Sequence, residues 1–487
     1  MTNTAGARRP PSSSAMSGTP QLLSRAAGVS LVDQIVNSVE SRINDKLLRS
    51  GARMPSIRHF AETHRVSRFT VVEAYDRLVA KGFLESRRGS GFYVRERARI
   101  IAAGNAGNPA PRQLDVVWLV RSMFRDHPPQ KMPGSGLLPN DWLDGGLIAN
   151  GLRAIGRENQ NLLLQYGDPQ GFLPLRQQLQ LKLASLDIAA TPEQIVTTAG
   201  VTQALDLVAR HFLQPGDTVF VDDPAWFLMF GSFATLGAKV IGIPRLADGP
   251  DVERLAELAA LHKPKLYVIN SVLHNPTSTS LSAAKAFQIL NIAGLHDFTI
   301  VEDDIYCDMH PGPSVQTATR IAALDQLKRV IYLGGFSKTL AANLRVGFIA
   351  TSSDMAKQLS DRKMLSTLTT SEIGERVVYK ILSEGHYRKH VDRLRSKLDG
   401  VRDKTLRQLE WAGLKVDAGM AAGVFVWADT GGDTNVLAEK AMDQGYLLAP
   451  GSLFSPTQLP STRMRVNVAT MSDPGVLDFF AREIGKT

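Results

Sequence analysis

Val330-Ile331-Tyr332-Leu333-Gly334-Gly335-Phe336-Ser337-Lys338-Thr339-Leu340, with Arg345 seven residues past the lysine, is the stretch that organises this chain. An apolar run of strand character ends in two glycines and delivers a Ser-Lys pair at its exit. In an open α/β sheet that exit is where side chains meet a ligand. A lysine partly withdrawn from water there can lose its proton and condense with an aldehyde as a Schiff base. Arg345 would hold a phosphate by forked hydrogen bonds. Taken alone, the motif is weak, since most lysines are solvated surface groups, so the flanking sequence decides.

Outward from it, short β-branched runs alternate with helical patterns from about Leu137 on, which predicts an α/β domain with a mostly parallel sheet. The expected strands are 194–198, 218–221, 239–243, 265–270, 298–302, 329–333 and 347–350. A later section, about 385–487, has its own helix (387–408) and strands (423–428 and 463–469), which suggests a smaller C-terminal lobe.

Several groups fall at the ends of those strands. Thr197-Thr198-Ala199-Gly200-Val201-Thr202-Gln203-Ala204 passes through a glycine into a helix. The amides of Val201 and Thr202 and the Thr202 hydroxyl would cradle a phosphate there, unless this is an ordinary strand-to-helix turn. Trp226, after Asp222-Asp223-Pro224-Ala225, would stack on a flat ring or serve as core. Asn275, in Asn275-Pro276-Thr277, offers a donor to a phenolate oxygen, although Asn-Pro elsewhere marks only a turn. Glu302-Asp303-Asp304-Ile305-Tyr306 sets acids at a strand end, where a buried carboxylate would hold a pyridinium proton and Tyr306 would reach the same phenolate. A solvated acidic loop is the plainer alternative. Arg465 lies inside an apolar strand pattern and needs a partner, either a substrate carboxylate or an internal acid. Together these form the set that pyridoxal 5′-phosphate chemistry requires.

Their order resembles fold-type I aminotransferases across about residues 137–485. The matching stretches include Tyr166-Gly167-Asp168-Pro169-Gln170-Gly171, Asp223-Pro224, Asn275-Pro276-Thr277, Phe336-Ser337-Lys338, Arg345-Val346-Gly347-Phe348 and Pro450-Gly451-Ser452. The resemblance implies that Lys338 binds the cofactor covalently, Asp303 pairs with the pyridine nitrogen, Asn275 and Tyr306 bind the ring oxygen, and Trp226 stacks. Val201, Thr202, Ser337 and Arg345 would hold the phosphate, with Tyr166 supplied by a neighbouring subunit, and Arg465 would take a carboxylate. Three departures stand out: Gly335 occupies the place of a usual phosphate-binding serine, Ser278 that of a usual glycine, and Val201 that of a common serine.

At the N-terminal end the apolar positions Leu31, Ile35, Val39, Ile43 and Leu47 recur at helical spacing. Ser56 and Ser67 are expected N-caps of a short helix to about His64 and a longer one over 68–81, which Gly82 ends. Phe83-Leu84-Glu85 and Phe92-Tyr93-Val94 flank a basic, glycine-bearing tip, Arg87-Arg88-Gly89-Ser90-Gly91. This is the pattern of a winged helix-turn-helix. Arg68, Phe69 and Thr70 would enter the major groove, Arg58 and Arg65 would reach phosphates, and Arg87 and Arg88 the backbone or minor groove. Pro55-Ser56-Ile57-Arg58, Val66-Ser67-Arg68-Phe69-Thr70 and Arg88-Gly89-Ser90-Gly91 resemble the GntR-family DNA-binding domain. That resemblance implies operator contacts from Arg58, Arg68, Thr70 and the wing glycine, Gly89.

Composition agrees. Of 487 residues 44% are hydrophobic and 21% charged, the balance of a globular protein of more than one domain. Residues 31–98 carry 13 Lys/Arg against 8 Asp/Glu, within a net charge of +9. A basic module of this kind suits a nucleic-acid partner. A lone cysteine, Cys307, precludes an internal disulfide and agrees with a cytoplasmic location. Neither a signal peptide nor a membrane-spanning apolar run is legible. The expected organisation is a disordered tail (1–28), a GntR-type domain (29–97), a linker (98–136) holding an apolar segment (114–124) that could dock on something, and an aminotransferase-like domain (137–487). A fusion of this kind resembles MocR-type transcriptional regulators. It implies a homodimer with swapped domains that binds operator DNA and responds to a small amino-acid-like or amine effector. In the expected response the effector's amine displaces Lys338 from the cofactor. Two alternatives remain open: a working aminotransferase that carries a DNA-binding domain, and a sensor of the cofactor alone.

Overall fold

A computed structural model describes residues 29–45, 47–87, 89–95, 121, 128–158, 161, 164–312, 318–416 and 422–485. The expected tail over 1–28, Arg88, and the segment 114–124 apart from Arg121 lie outside the described residues. The chain divides into two compact units, Met1–Pro111 and Arg112–Thr487.

In the N-terminal unit each helix begins where a serine can satisfy its first amides. Ser30 accepts from the Asp33 amide at the head of α1 (Leu31–Asn44), Ser56 from His59 for α2 (Ile57–His64), and Ser67 from Thr70 for α3 (Arg68–Ala80). Arg65, in the left-handed region at φ 53°, turns the chain sharply between α2 and α3. Gly82, at φ 74°, releases it from α3 into the hairpin of β1 (Leu84–Arg87) and β2 (Gly91–Val94). Tyr75 sits at the centre, its ring edge-on to Phe60 and Phe92, with Ile35, Val36, Val39, Val71 and Leu78 closing the core. The helices stop slightly short of the pattern in sequence: α1 ends at Asn44 although the apolar spacing runs on to Leu47, which is exposed.

The larger unit is built on an eight-stranded sheet. In chain order its strands are β3 (Ile195–Thr198), β4 (Thr218–Asp223), β5 (Lys239–Leu246), β6 (Gly249–Pro250), β7 (Leu266–Ile269), β8 (Thr299–Asp303), β9 (Val330–Gly335) and β10 (Gly347–Ala350). Their spatial order is β3-β10-β9-β8-β7-β4-β5-β6. The run from β9 to β5 is parallel, whereas β10 is antiparallel to both of its neighbours and β6 to β5. Every residue of β9 is buried, as a strand covered on both faces must be, which is why its sequence is a continuous apolar run. After β4 the chain moves outward to β5 and β6, then returns to pair β7 on the other side of β4. That reversal opens a crevice at the carboxyl ends of β4 and β7, the place where open α/β sheets bind ligands.

A second sheet of four antiparallel strands, β11 (Lys415–Val416), β12 (Phe425–Asp429), β13 (Ala449–Pro450) and β14 (Arg463–Asn467), is ordered β11-β12-β14-β13. It forms the smaller lobe with the helices His386–Trp411 and Pro474–Ile484. The expected strand 463–469 ends early because the Asn467 side chain accepts from the Ala469 amide and turns the chain into a 3-10 segment. Gln194 likewise belongs to a 3-10 turn, and β3 starts one residue later. Residues 131–136, which fall in the expected linker, are tied to this lobe together with Leu137. Gly134 donates to the Leu447 carbonyl, Asn467 to the Pro133 carbonyl, and the Asn467 side chain to the carbonyls of Ser135 and Leu137.

Candidate functional site

The crevice holds a cavity of about 650 Å³. Lys338, Ser337, Arg345, Asp303, Tyr306 and Asn275 all reach its wall, as do Trp226, Val201, Thr202 and Arg465. Tyr166 does not line it and is 80% exposed.

Lys338 leaves β9 just past Gly335, and its Nζ donates to the Gly136 carbonyl at 3.0 Å and lies 6.0 Å from the centre of the Tyr306 ring. Burial and the nearby Arg465 bring its pKa down to about 8, with Asp303 pulling the other way. A sizeable fraction of a lysine held there is therefore a neutral amine near physiological pH, as condensation with an aldehyde requires.

Strand alternation sorts the three adjacent acids. Glu302 points to the opposite face from Asp303 and accepts from Ser271 and from the amides of Ile321 and Ala322 at 2.8 Å, which seats a helix. Asp304 pairs with Arg320 at 2.5 Å and accepts from Tyr332. Of the three, Asp303 faces the cavity, where among the described residues its side chain accepts from the Ile305 amide at 3.1 Å and burial lifts its pKa to about 7. A carboxyl so poised gains an opposite charge when a pyridinium N–H is set beside it.

At the other end, Gly200 at φ 80° heads the helix Val201–Phe212 and has no side chain to occupy the helix's first amides. A Cβ on Gly200 would lie 2.5 Å from Arg345 Nη2, so the glycine is what lets the guanidinium sit over the turn. Arg345 donates to the Ala199 carbonyl at 2.7 Å and toward Ser337 Oγ at 3.4 Å. Free amides at a helix start, a hydroxyl and a guanidinium make an anion cradle.

Arg465 is 1% exposed. Its two terminal nitrogens donate to Asn275 Oδ1 at 2.8 Å and to the Gly134 carbonyl at 2.7 Å, and Phe425 and Phe454 lie 4.5 and 4.9 Å from the guanidinium carbon. Its Nε is buried with no hydrogen-bond partner among the described residues. Of the two partners open in the sequence, an internal acid is absent among the described contacts. The cation is held by neutral acceptors and rings, and burial lowers its pKa to about 10. A carboxylate ligand would repay that desolvation. Because Arg465 takes Asn275 Oδ1, the amide nitrogen of Asn275 is left as the donor to a ring oxygen.

Several residues that line the cavity or hold its lining are not legible as site residues in the sequence. Gly136 and Gly134 supply the carbonyls that hold Lys338 and Arg465, but Gly-Ser-Gly composition reads as linker. Asp222 and His274 form a buried network with Arg245 and Tyr267, Asp222 accepting from Arg245 at 2.6 Å and Tyr267 at 2.5 Å. Their signal was position, since each follows or ends a strand at the switch point.

In the N-terminal unit Arg68 and Phe69 are exposed at the head of α3. The Thr70 hydroxyl is engaged with Ser67 Oγ at 2.7 Å, so it reinforces the cap. Arg58 pairs with Glu62 and Arg87 with Glu85, Arg87 also covering Tyr93 at 4.5 Å. Exposed pairs of this kind exchange readily for phosphate contacts. Gly89 sits at φ 73° with open space around it, so backbone conformation alone asks for glycine there.

Two family models match the chain. Residues 135–482 match aminotransferase class I and II, and residues 31–94 match the bacterial regulatory proteins of the gntR family. The chain belongs to the aminotransferase class I and II family. With its GntR-family domain it has the MocR-type architecture. It is 28% identical over 464 residues to the uncharacterized HTH-type transcriptional regulator YdfD of Bacillus subtilis (strain 168), covering 90% of this chain and 93% of that protein. It is 32% identical to aromatic-amino-acid aminotransferase 1 of Thermococcus litoralis, over 62% of this chain and 75% of that enzyme. Kynurenine aminotransferase of Pyrococcus horikoshii, solved with PMP, superposes with a TM-score of 0.68 at 28% identity, covering 76% of this chain and 92% of that structure. In this MocR-type chain the cavity residues fit pyridoxal 5′-phosphate: an amine for its aldehyde, an acid for its ring nitrogen, donors for its ring oxygen and a cradle for its phosphate. No helix among the described residues is long and apolar enough to cross a membrane.

Proposed function

We propose that the protein is a pyridoxal-phosphate-dependent transcriptional regulator whose winged helix binds operator DNA and whose aminotransferase-like domain senses a small amino compound bearing a carboxylate. The observation that carries the reading is Arg465, a buried cation with an unpartnered Nε on the wall shared with Lys338. When bound, the cofactor supplies an aldehyde that exchanges its amine partner and a ring that draws electrons from it. Lys338 would hold the cofactor's aldehyde and be the group an effector amine competes with, Asp303 would hold the proton at the ring nitrogen, Trp226 would cover the ring face, and Arg465 would orient the effector by its carboxylate. Leu137, Phe227, Leu228 and Met229 in the wall favour an effector whose remaining part is apolar. The bound effector shifts DNA affinity only through its unequal affinity for two arrangements of the chain. Two copies pair so that Tyr166 of one completes the phosphate site of the other, and paired winged helices read paired half-sites.

The test is a spectral titration of the full chain with amino acids and amines, followed by operator binding with and without any compound that responds. A cofactor band that shifts and persists, with altered DNA affinity, supports the sensor. A band that is consumed and restored only by a 2-oxo acid makes the chain an aminotransferase, a reading favoured by its 32% identity to an aminotransferase. A response to the cofactor without any amine points to a cofactor sensor.

A further inference from the structure

Helix α3 presents an unusual face. Its inward residues Val71, Ala74, Tyr75 and Leu78 are fully buried, and its amino end is pinned by the Ser67 cap. The outward face begins with Arg68, exposed and in no ion pair among the described residues, and continues with Phe69 and Val72. Phe69 is 77% exposed and Val72 37%. They are three residues apart, so they share one side of the helix. The next position on that side is the carboxylate Asp76, which limits the apolar strip to a single turn. A phenyl ring left in water beside an unpaired arginine gains by being covered.

In the major groove, base pairs differ in hydrogen-bonding pattern and in one apolar feature, the C5-methyl of thymine. Arginine reads the O6 and N7 of guanine from a helix in that groove, and an aromatic or aliphatic side chain is what can pack on the methyl. We propose that Phe69, with Val72 behind it, reads thymine C5-methyl groups in the major groove next to the base contacted by Arg68. The operator then contains thymine at one or two fixed steps from a guanine, and Phe69 is a specificity-determining residue rather than an anchor. The inference rests on the DNA-binding reading of this domain.

The test uses the full-length protein and duplexes enriched from a random pool by its own binding. Each thymine of the enriched site is replaced singly by deoxyuridine, which removes only the methyl. We expect about a fourfold loss of affinity at one or two positions, the value of one buried methyl group, and none elsewhere. Phe69→Asn abolishes the thymine–uracil difference at those positions while leaving the salt dependence of binding unchanged, and Phe69→Leu restores part of the difference. Because Phe69 is exposed, both variants keep the melting behaviour of the parent. Equal affinity for every thymine and uracil duplex, or an undiminished difference in Phe69→Asn, overturns the proposal. Failure to enrich any duplex overturns it together with the DNA-binding reading.

Discussion

At the scale of single residues, the cavity is defined by groups held in energetically uncomfortable states that a ligand would relieve. Lys338 has its pKa brought to about 8 chiefly by burial, so the amine is protonated below that value and neutral above it. The rate of cofactor capture by the cofactor-free protein should therefore rise with pH through a midpoint near 8, read from the growth of the cofactor band. An ordinary lysine would place that midpoint near 10.5. Lys338→Ala should show no such band and still bind operator DNA. For Arg465→Met, effectors bearing a carboxylate should bind about 10–100-fold more weakly, the worth of charged hydrogen bonds, whereas amines lacking a carboxylate should be little changed. Calorimetry with matched pairs of ligands reads that difference. At this scale the sequence was only partly legible. The run of acids by itself does not tell Glu302, Asp303 and Asp304 apart; the resemblance singles out Asp303, while the fold commits Glu302 to two helix amides and Asp304 to Arg320 and leaves Asp303 on the cavity wall.

At the scale of elements, the phosphate end depends on how β3 turns into the helix Val201–Phe212. Gly200 there has both a positive φ and a guanidinium against the space a Cβ would fill. Gly200→Ala is expected to lower stability by about 1–3 kcal/mol and to weaken retention of cofactor, measured as a fall in melting temperature and faster loss of the cofactor band on dialysis. Gly347 presses on the same turn, its own Cβ position lying 2.7 Å from the Gly200 carbonyl carbon. The glycines were visible in the sequence. Their need was not, because it arises from a contact between residues 147 positions apart.

At the scale of the whole molecule, two units carry separate cores: one gathered around Tyr75, the other spread over both sheets. Stripping the cofactor should lower the melting transition of the larger unit and leave that of the smaller one in place. With cofactor at a hundredfold excess over its dissociation constant the difference is about 2.7 kcal/mol. Differential scanning calorimetry of the stripped and reconstituted protein measures it. Equal shifts of both transitions would count against independent cores.

The sequence by itself determined the two kinds of domain and the order of the site residues along the chain. Helix caps, β-branched runs and turn glycines are local signals, and they survive whatever the rest of the chain does. It also placed Lys338 at the exit of β9, since a buried parallel strand is an uninterrupted apolar run. Tertiary structure alone decided that Gly136 joins the cavity wall, and that Arg465 is held by a carbonyl, an amide and two rings. Those facts depend on hydrogen bonds between segments up to 331 residues apart, and no local pattern encodes a partner at that distance.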